Sequence, residues 1–305
     1  MNKKVCEKFE NVWENFPDTL TNNKYHEFET NNFLNSHCDN GQCDTDIKKI
    51  SAGFFYLLSG FFGDSNSFNF DEKTNNDIFY YIMIWLSYML NLKENEANNS
   101  LQYFYSIDIS NQNKYKNSIA GFTDYTSYKD LLDKKKIVNM DIKTISKFYA
   151  PFKSLCNMHT RFIDSTSDCT KCLNDANEFA KKYKELNDDS SITNDSSYNK
   201  LLCTLSNDYD NFKKKCKDSS SFPAINKPNI TPKCPEQNLR SAVISEDAPS
   251  SSSIANKLFT VLSIFGAIAF FLGISYKYSL FGFRKRFKKQ QIREKIKNIK
   301  KRMNH

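Results

Sequence analysis

Cysteine is the residue type of this chain with the most chemistry to offer. The 305 residues include nine cysteines, all of them before residue 235. Their thiols can form disulfides, bind a metal ion or act as nucleophiles. An odd count leaves at least one thiol unpaired or intermolecular, and spacing does not decide the connectivity. Two groups, one near the N-terminus and one between predicted helices, supply the candidate disulfide cysteines: Cys6, Cys38, Cys43, Cys156, Cys169 and Cys172.

Two other roles for these side chains stay open at this point. Cys156 and His159 lie three residues apart on one predicted helix face, where a cysteine–histidine nucleophile can be imagined, but a buried thiol beside a surface histidine is the favoured interpretation. Four thiolates also suit a closed tetrahedral zinc site, with a histidine as a further ligand. That site would need two pairs that are distant in sequence to meet, so disulfides are the favoured interpretation. Its ligands would come from Cys38-x4-Cys43, Cys169-x2-Cys172, His37 and His159.

The rest of the sequence gives no case for an enzyme. None of the four histidines belongs to an H-E-x-x-H arrangement, and neither a G-x-S-x-G motif nor a phosphate-binding loop occurs. Only eight glycines are present, which disfavours Rossmann and P-loop folds. We therefore predict no catalytic residue, no resident metal and no cofactor.

The charge of the chain is divided unevenly. The net charge of +8 arises because residues 277–305 hold twelve Lys or Arg and one acid, whereas residues 1–276 hold 31 basic and 34 acidic side chains. A nucleic-acid-binding domain clusters basic residues on its folded face. The composition therefore predicts a mildly acidic body with a basic tail and no nucleic-acid partner.

The basic tail follows a predicted membrane span. Residues 258–276 carry no charge and lie between Lys257 and Lys277. As a helix they would extend roughly 28 Å, close to the hydrocarbon thickness of a bilayer. Aromatic residues up to Phe283 could extend the embedded stretch. Because positive charges stay cytoplasmic, we expect a single-pass protein with a cytosolic C-terminus and residues 1–256 on the opposite side.

The tail itself reads as a basic amphipathic helix. We expect it to contact anionic lipid or an acidic cytoskeletal protein. Its predicted lipid-facing residues are Phe287, Ile292, Ile296 and Ile299, and its main basic cluster is Arg284, Lys285, Arg286, Lys288 and Lys289.

The residues before the span predict a succession of helices. Apolar residues recur every three or four positions, as in Val5, Phe9, Val12 and Phe16. Residues 78–90 are almost wholly apolar and predict a central helix, Pro151 predicts a break near Ala150, and residues 103–109 are the only strand candidate.

The predicted fold class is therefore all-α: an irregular multi-helix body, a disordered stalk, one C-terminal transmembrane helix and a basic amphipathic tail helix. The boundaries are 1–217 for a helical, cysteine-containing ectodomain, 218–257 for a Ser/Pro-rich stalk, 258–276 for the transmembrane helix and 277–305 for the cytoplasmic tail.

Four stretches of the chain resemble the Plasmodium interspersed repeat (PIR) variant antigens, most closely the rodent-malaria branch. They are YYIMIWLSYMLNLKENEANNSLQYFY (80–105), YTSYKDLLDKKKIVNMDIKTISKFYAPFKSLCNMH (125–159), CTKCLNDANEFAKKY (169–183) and residues 276–305.

The resemblance implies a variant protein that the malaria parasite exports to the infected host cell and its surface, without catalytic activity. Its helical ectodomain would meet a host receptor or antibody, in adhesion, antigenic variation or immune evasion. The alternative is an internal structural protein whose basic tail organises a membrane or cytoskeleton.

Overall fold

A computed structural model of the chain describes residues 1–38, 41–63, 72–93, 100–119, 125–163, 165–228 and 234. All of them belong to one compact unit, Met1–Asn238. The described residues form helices and contain no β-strand, so the all-α prediction is confirmed for this part of the chain.

The described helices are α1 (Lys3–Asn15), α2 (Asp46–Phe62), α3 (Glu72–Asn91), α4 (Leu101–Phe104), α5 (Tyr128–Lys134), α6 (Ile142–Ser146), α7 (Tyr149–Arg161), α8 (Leu173–Asp188), α9 (Ser190–Thr193) and α10 (Ser196–Lys213). Short 3-10 turns cover Phe33–His37, Asn113–Lys116, Ile137–Asn139 and Thr170–Cys172, and a π-helical turn covers Tyr105–Ile109.

Helix α3 is the centre of the core, as its apolar sequence predicts. It packs against α2, α6 and α7, and most side chains between Ile78 and Leu90 are buried. The Trp85 indole fits against α2 at Gly53, where an added Cβ would lie 2.6 Å from the ring. Full burial of a large apolar side chain stabilises a fold by about 1.5–3 kcal/mol, so this helix contributes much of the core energy.

One local expectation needs correction and another is confirmed. The strand candidate at residues 103–109 is wrong, because this stretch continues from α4 into the π-helical turn. The break predicted near Ala150 is present, between Ser146 and Tyr149. Pro151 then occupies the first turn of α7, where a backbone N–H has no partner within the helix and proline is tolerated.

The packed body also continues beyond residue 217, where the sequence predicts a stalk. The phenol of Tyr209 donates a hydrogen bond to the Pro223 carbonyl at 2.9 Å, and Phe222 is buried against Tyr209 and Phe212. A disulfide further joins Cys234 to α10. Aromatic burial and a covalent bond thus hold a Ser- and Pro-containing segment that lacks any helical pattern.

Among the described residues, no helix combines the length and apolar character that crossing a membrane requires. The predicted span at 258–276 lies outside the described residues, as do the tail side chains assigned to lipid contact and the basic cluster that starts at Arg284.

Candidate functional site

Disulfides stabilise the helical body, and the prediction that it contains them is confirmed. The bond between Cys6 and Cys156 joins α1 to α7. Cys172 differs from the expectation, because it is a free and buried thiol. Cys203 and Cys234, which were not among the candidates, form a bond. The four pairs are Cys6–Cys156, Cys38–Cys43, Cys169–Cys216 and Cys203–Cys234.

These pairs exclude the two alternative roles of the cysteines. The zinc site would need four thiolates, but Cys38 and Cys43 bond to each other and Cys169 bonds elsewhere. No cluster of three or more His, Cys, Asp or Glu side chains in the described part of the chain is placed to hold a metal ion. The proposed nucleophile Cys156 is a disulfide partner and therefore carries no thiol.

The remaining thiol and histidine are poorly suited to chemistry. Burial, with the Asp175 carboxylate nearby, raises the pKa of Cys172 to about 11, so the thiol stays protonated and unreactive at neutral pH. Burial lowers the pKa of His159 from 6.5 to about 3, and its ring packs edge-on against Phe212. Both side chains are therefore core residues.

A cleft of about 720 Å³, lined by both polar and apolar side chains, is one candidate binding site among the described residues. It opens between the start of α2 and the π-helical turn. Its walls combine amides, hydroxyls, two ammonium groups, one carboxylate and two isoleucines: Thr45, Ile47, Lys48, Tyr103, Ile107, Asp108, Asn111, Gln112, Asn113 and Lys114.

Local backbone structure positions these side chains. Thr45 caps α2 by accepting a hydrogen bond from the Lys48 amide at 3.3 Å. On the other wall, the Ser110 amide donates to the Tyr105 carbonyl at 2.9 Å, an i to i+5 bond that widens the turn. The wider turn is followed by the 3-10 turn Asn113–Lys116, so polar side chains from successive short elements line one opening.

A buried network around Asp108 forms the floor of the cleft. Its carboxylate is 2% exposed and accepts hydrogen bonds from the Ser51 hydroxyl at 2.6 Å and from the Tyr115 phenol at 3.0 Å. The Gln112 amide donates to its other oxygen. A buried carboxylate that accepts this many hydrogen bonds stabilises the fold instead of presenting a base to a ligand.

Two lysines, Lys48 and Lys114, line the cleft beside this floor. The Lys114 ammonium donates to the Ser51 hydroxyl at 2.9 Å and to the His37 carbonyl at 3.0 Å. Burial lowers the pKa of His37, and the charges of Lys114 and Lys8 lower it further. Lys48 forms an exposed ion pair with Asp44 at 2.7 Å. The arrangement of ammonium groups, amides and hydroxyls suits binding of a polar ligand.

Sequence reasoning did not identify this cleft. Its carboxylate lies in the stretch assigned to a possible strand, and Ser51, Asp108 and Tyr115 show no recognisable spacing. The two consecutive asparagine-containing turns after Ile109 were the only available signal, and asparagine occurs throughout the chain.

Comparison with known proteins identifies similarity over most of the chain. The profile of the family described as Plasmodium variant antigen protein Cir/Yir/Bir matches residues 6–277. A solved structure described as a Plasmodium PIR protein ectodomain is 33% identical, with a TM-score of 0.57, over 74% of this chain and 97% of that one. No curated protein matches the chain. The assignment to a rodent-malaria branch stays a prediction.

Proposed function

The chain belongs to the Plasmodium Cir/Yir/Bir variant antigen family, and from that premise we propose that it is a membrane-anchored antigen displayed on the infected host cell. Its helical body would face host molecules and antibodies, while the C-terminal span and basic tail anchor it. The family match over residues 6–277 is the observation that carries this proposal.

The disulfides support an extracellular body. Disulfides persist in oxidising environments and are rare in the cytosol. Four of them lie in the part of the chain that precedes the hydrophobic stretch 258–276. This distribution is expected if the body is outside and the cysteine-free tail is cytosolic.

The body is proposed to act by binding and not by catalysis. The family is one of variant antigens. The cleft contains ammonium and amide groups, and its one carboxylate already accepts hydrogen bonds from Ser51 and Tyr115. A host receptor or an antibody would then recognise exposed side chains of the body.

A second candidate function is an internal structural role, favoured by the twelve basic residues of the tail. Such a tail would attract anionic lipid or an acidic cytoskeletal protein. In this case the body would lie inside the host cell and organise an internal membrane.

Protease shaving of intact infected cells distinguishes the two functions. One antibody against the body and one against residues 284–305 would follow the chain on immunoblots. Surface display predicts loss of the body signal and survival of the tail signal, with a cytosolic host protein intact as the control. A body that resists trypsin until the cells are permeabilised would overturn the surface proposal in favour of the internal role.

A further inference from the structure

We propose that the cleft between the start of α2 and the π-helical turn binds a carboxylate-bearing sugar, such as a sialic or uronic acid at the end of a glycan. The inference rests on the proposed function, because it supplies a ligand class for a body that faces host molecules. The cleft has a volume of about 720 Å³, which falls within the roughly 300–1,000 Å³ of small-ligand sites.

The uncharged walls of the cleft match the polar edge and the apolar face of a sugar ring. The amides of Asn111 and Asn113 and the Thr45 hydroxyl offer donors and acceptors for ring hydroxyls. Tyr103 and Ile107 provide apolar surface for the ring face, and Ile107 is 37% exposed, which is unusual for its type in this body.

One polar atom in the wall of the cleft lacks a hydrogen-bond donor, and a hydroxyl group of the ligand would supply it. Gln112 lines the cleft and donates through Nε2 to Asp108. Its Oε1 atom is buried and accepts no hydrogen bond from any described residue. An unsatisfied buried acceptor is costly, so donation from a ligand hydroxyl would be favourable.

The charges of the cleft favour a carboxylate over an amine. Asp108 is withdrawn into the floor, where Ser51 and Tyr115 already donate to it. Lys48 and Lys114 are the lining cations. Lys48 also pairs with Asp44 at 2.7 Å, and exposed pairs of this kind contribute little to the stability of the fold.

Two lysines also limit the charge of the ligand. A single carboxylate would be matched by them, whereas a phosphate-rich chain needs a larger basic surface. The geometry therefore selects a sugar with one acidic group.

Saturation-transfer NMR on the full chain in detergent micelles tests the inference. The probe is 3′-sialyllactose, with lactose and sodium acetate as separate controls. We expect saturation of the acidic sugar ring, with a dissociation constant on the order of 1 mM, and no comparable signal from lactose or acetate. Equal signals from lactose, or no signal from the sialylated probe, would overturn the inference.

Matched lysine variants locate the site. Lys48→Gln should weaken binding about tenfold, since it removes a charge-assisted hydrogen bond. Lys116→Gln changes an exposed lysine of the adjacent 3-10 turn that does not line the cleft, and it should leave binding unchanged. Both variants should keep the wild-type melting temperature. Equal binding by the two variants would place the sugar elsewhere and refute the assignment.

The outcome is separable from that of the proposed function. A body removed by trypsin from intact cells but unable to bind the acidic sugar would refute only the ligand. A protected body that binds the sugar would refute only surface display.

Discussion

Removal of the Cys6–Cys156 disulfide should destabilise the body more than removal of Cys38–Cys43. The first bond closes a loop with a sequence separation of 150 residues, and the second closes one of 5. The loop-entropy relation assigns them about 5 and about 2 kcal/mol. At roughly 2–4 °C per kcal/mol for a body of this size, the double alanine variants should lower Tm by about 10–20 °C and about 4–8 °C.

Far-UV circular dichroism of the full chain in detergent micelles measures both transitions. Cys172→Ala is the control, because it removes a buried thiol without opening a loop. The packing of Cys6 and Cys156, which are fully buried, adds a cavity cost in the same direction. The reasoning fails if the Cys38→Ala/Cys43→Ala variant melts at the same temperature as the Cys6→Ala/Cys156→Ala variant or below it.

Three further outcomes are expected. Gly53→Ala should cost about 1–3 kcal/mol, because the new methyl meets the Trp85 indole, whereas Gly60→Ala meets only the end of a flexible lysine and should be nearly neutral in urea unfolding. The folded state holds His159 neutral, with its pKa lowered from 6.5 to about 3. Because the unfolded chain takes up this proton more readily, the free energy of unfolding is highest above pH 6.5 and declines as the pH falls below it. By linkage the decline is up to about 1.4 kcal/mol per pH unit, and His159→Phe should flatten the difference in unfolding free energy between about pH 7 and about pH 5. A synthetic 284–305 peptide should bind phosphatidylserine vesicles, and replacement of its three isoleucines by serine should weaken binding at constant charge; unchanged binding would reduce the tail to a charge tag.

The sequence predicts the helical core well because a buried helix face needs apolar residues every three to four positions. Val5, Phe9 and Val12 are all essentially inaccessible to solvent, as their spacing predicts. The prediction for 103–109 fails because the alternation of Ser106 and Asp108 with apolar neighbours fits a strand as well as a widened helical turn. Periodicity describes single elements, and it does not report which distant turns meet.

The same limit explains why disulfides were expected but not their pairing. Cys203 lies on an ordinary amphipathic helix, and Cys234 lies in a segment that composition assigns to a stalk. Their bond shows that the body includes residues beyond 217. A fragment that ends at residue 217 would lose Cys234 and the packing of Phe222, so binding experiments require a longer chain.

The cleft has a buried floor, Ser51, Asp108 and Tyr115, and an exposed rim that includes Asn111 and Asn113. Ser51, Asp108 and Tyr115 are buried and bonded to one another, so a change in any of them leaves a buried polar group unsatisfied and costs about 1–3 kcal/mol. Asn111 and Asn113 are exposed, and surface substitutions usually change stability by no more than about 0.5 kcal/mol. The rim can therefore exchange its hydrogen-bonding groups while the floor keeps its shape. For a protein of a variant antigen family, this division would allow ligand preference to change between sequences without a new fold.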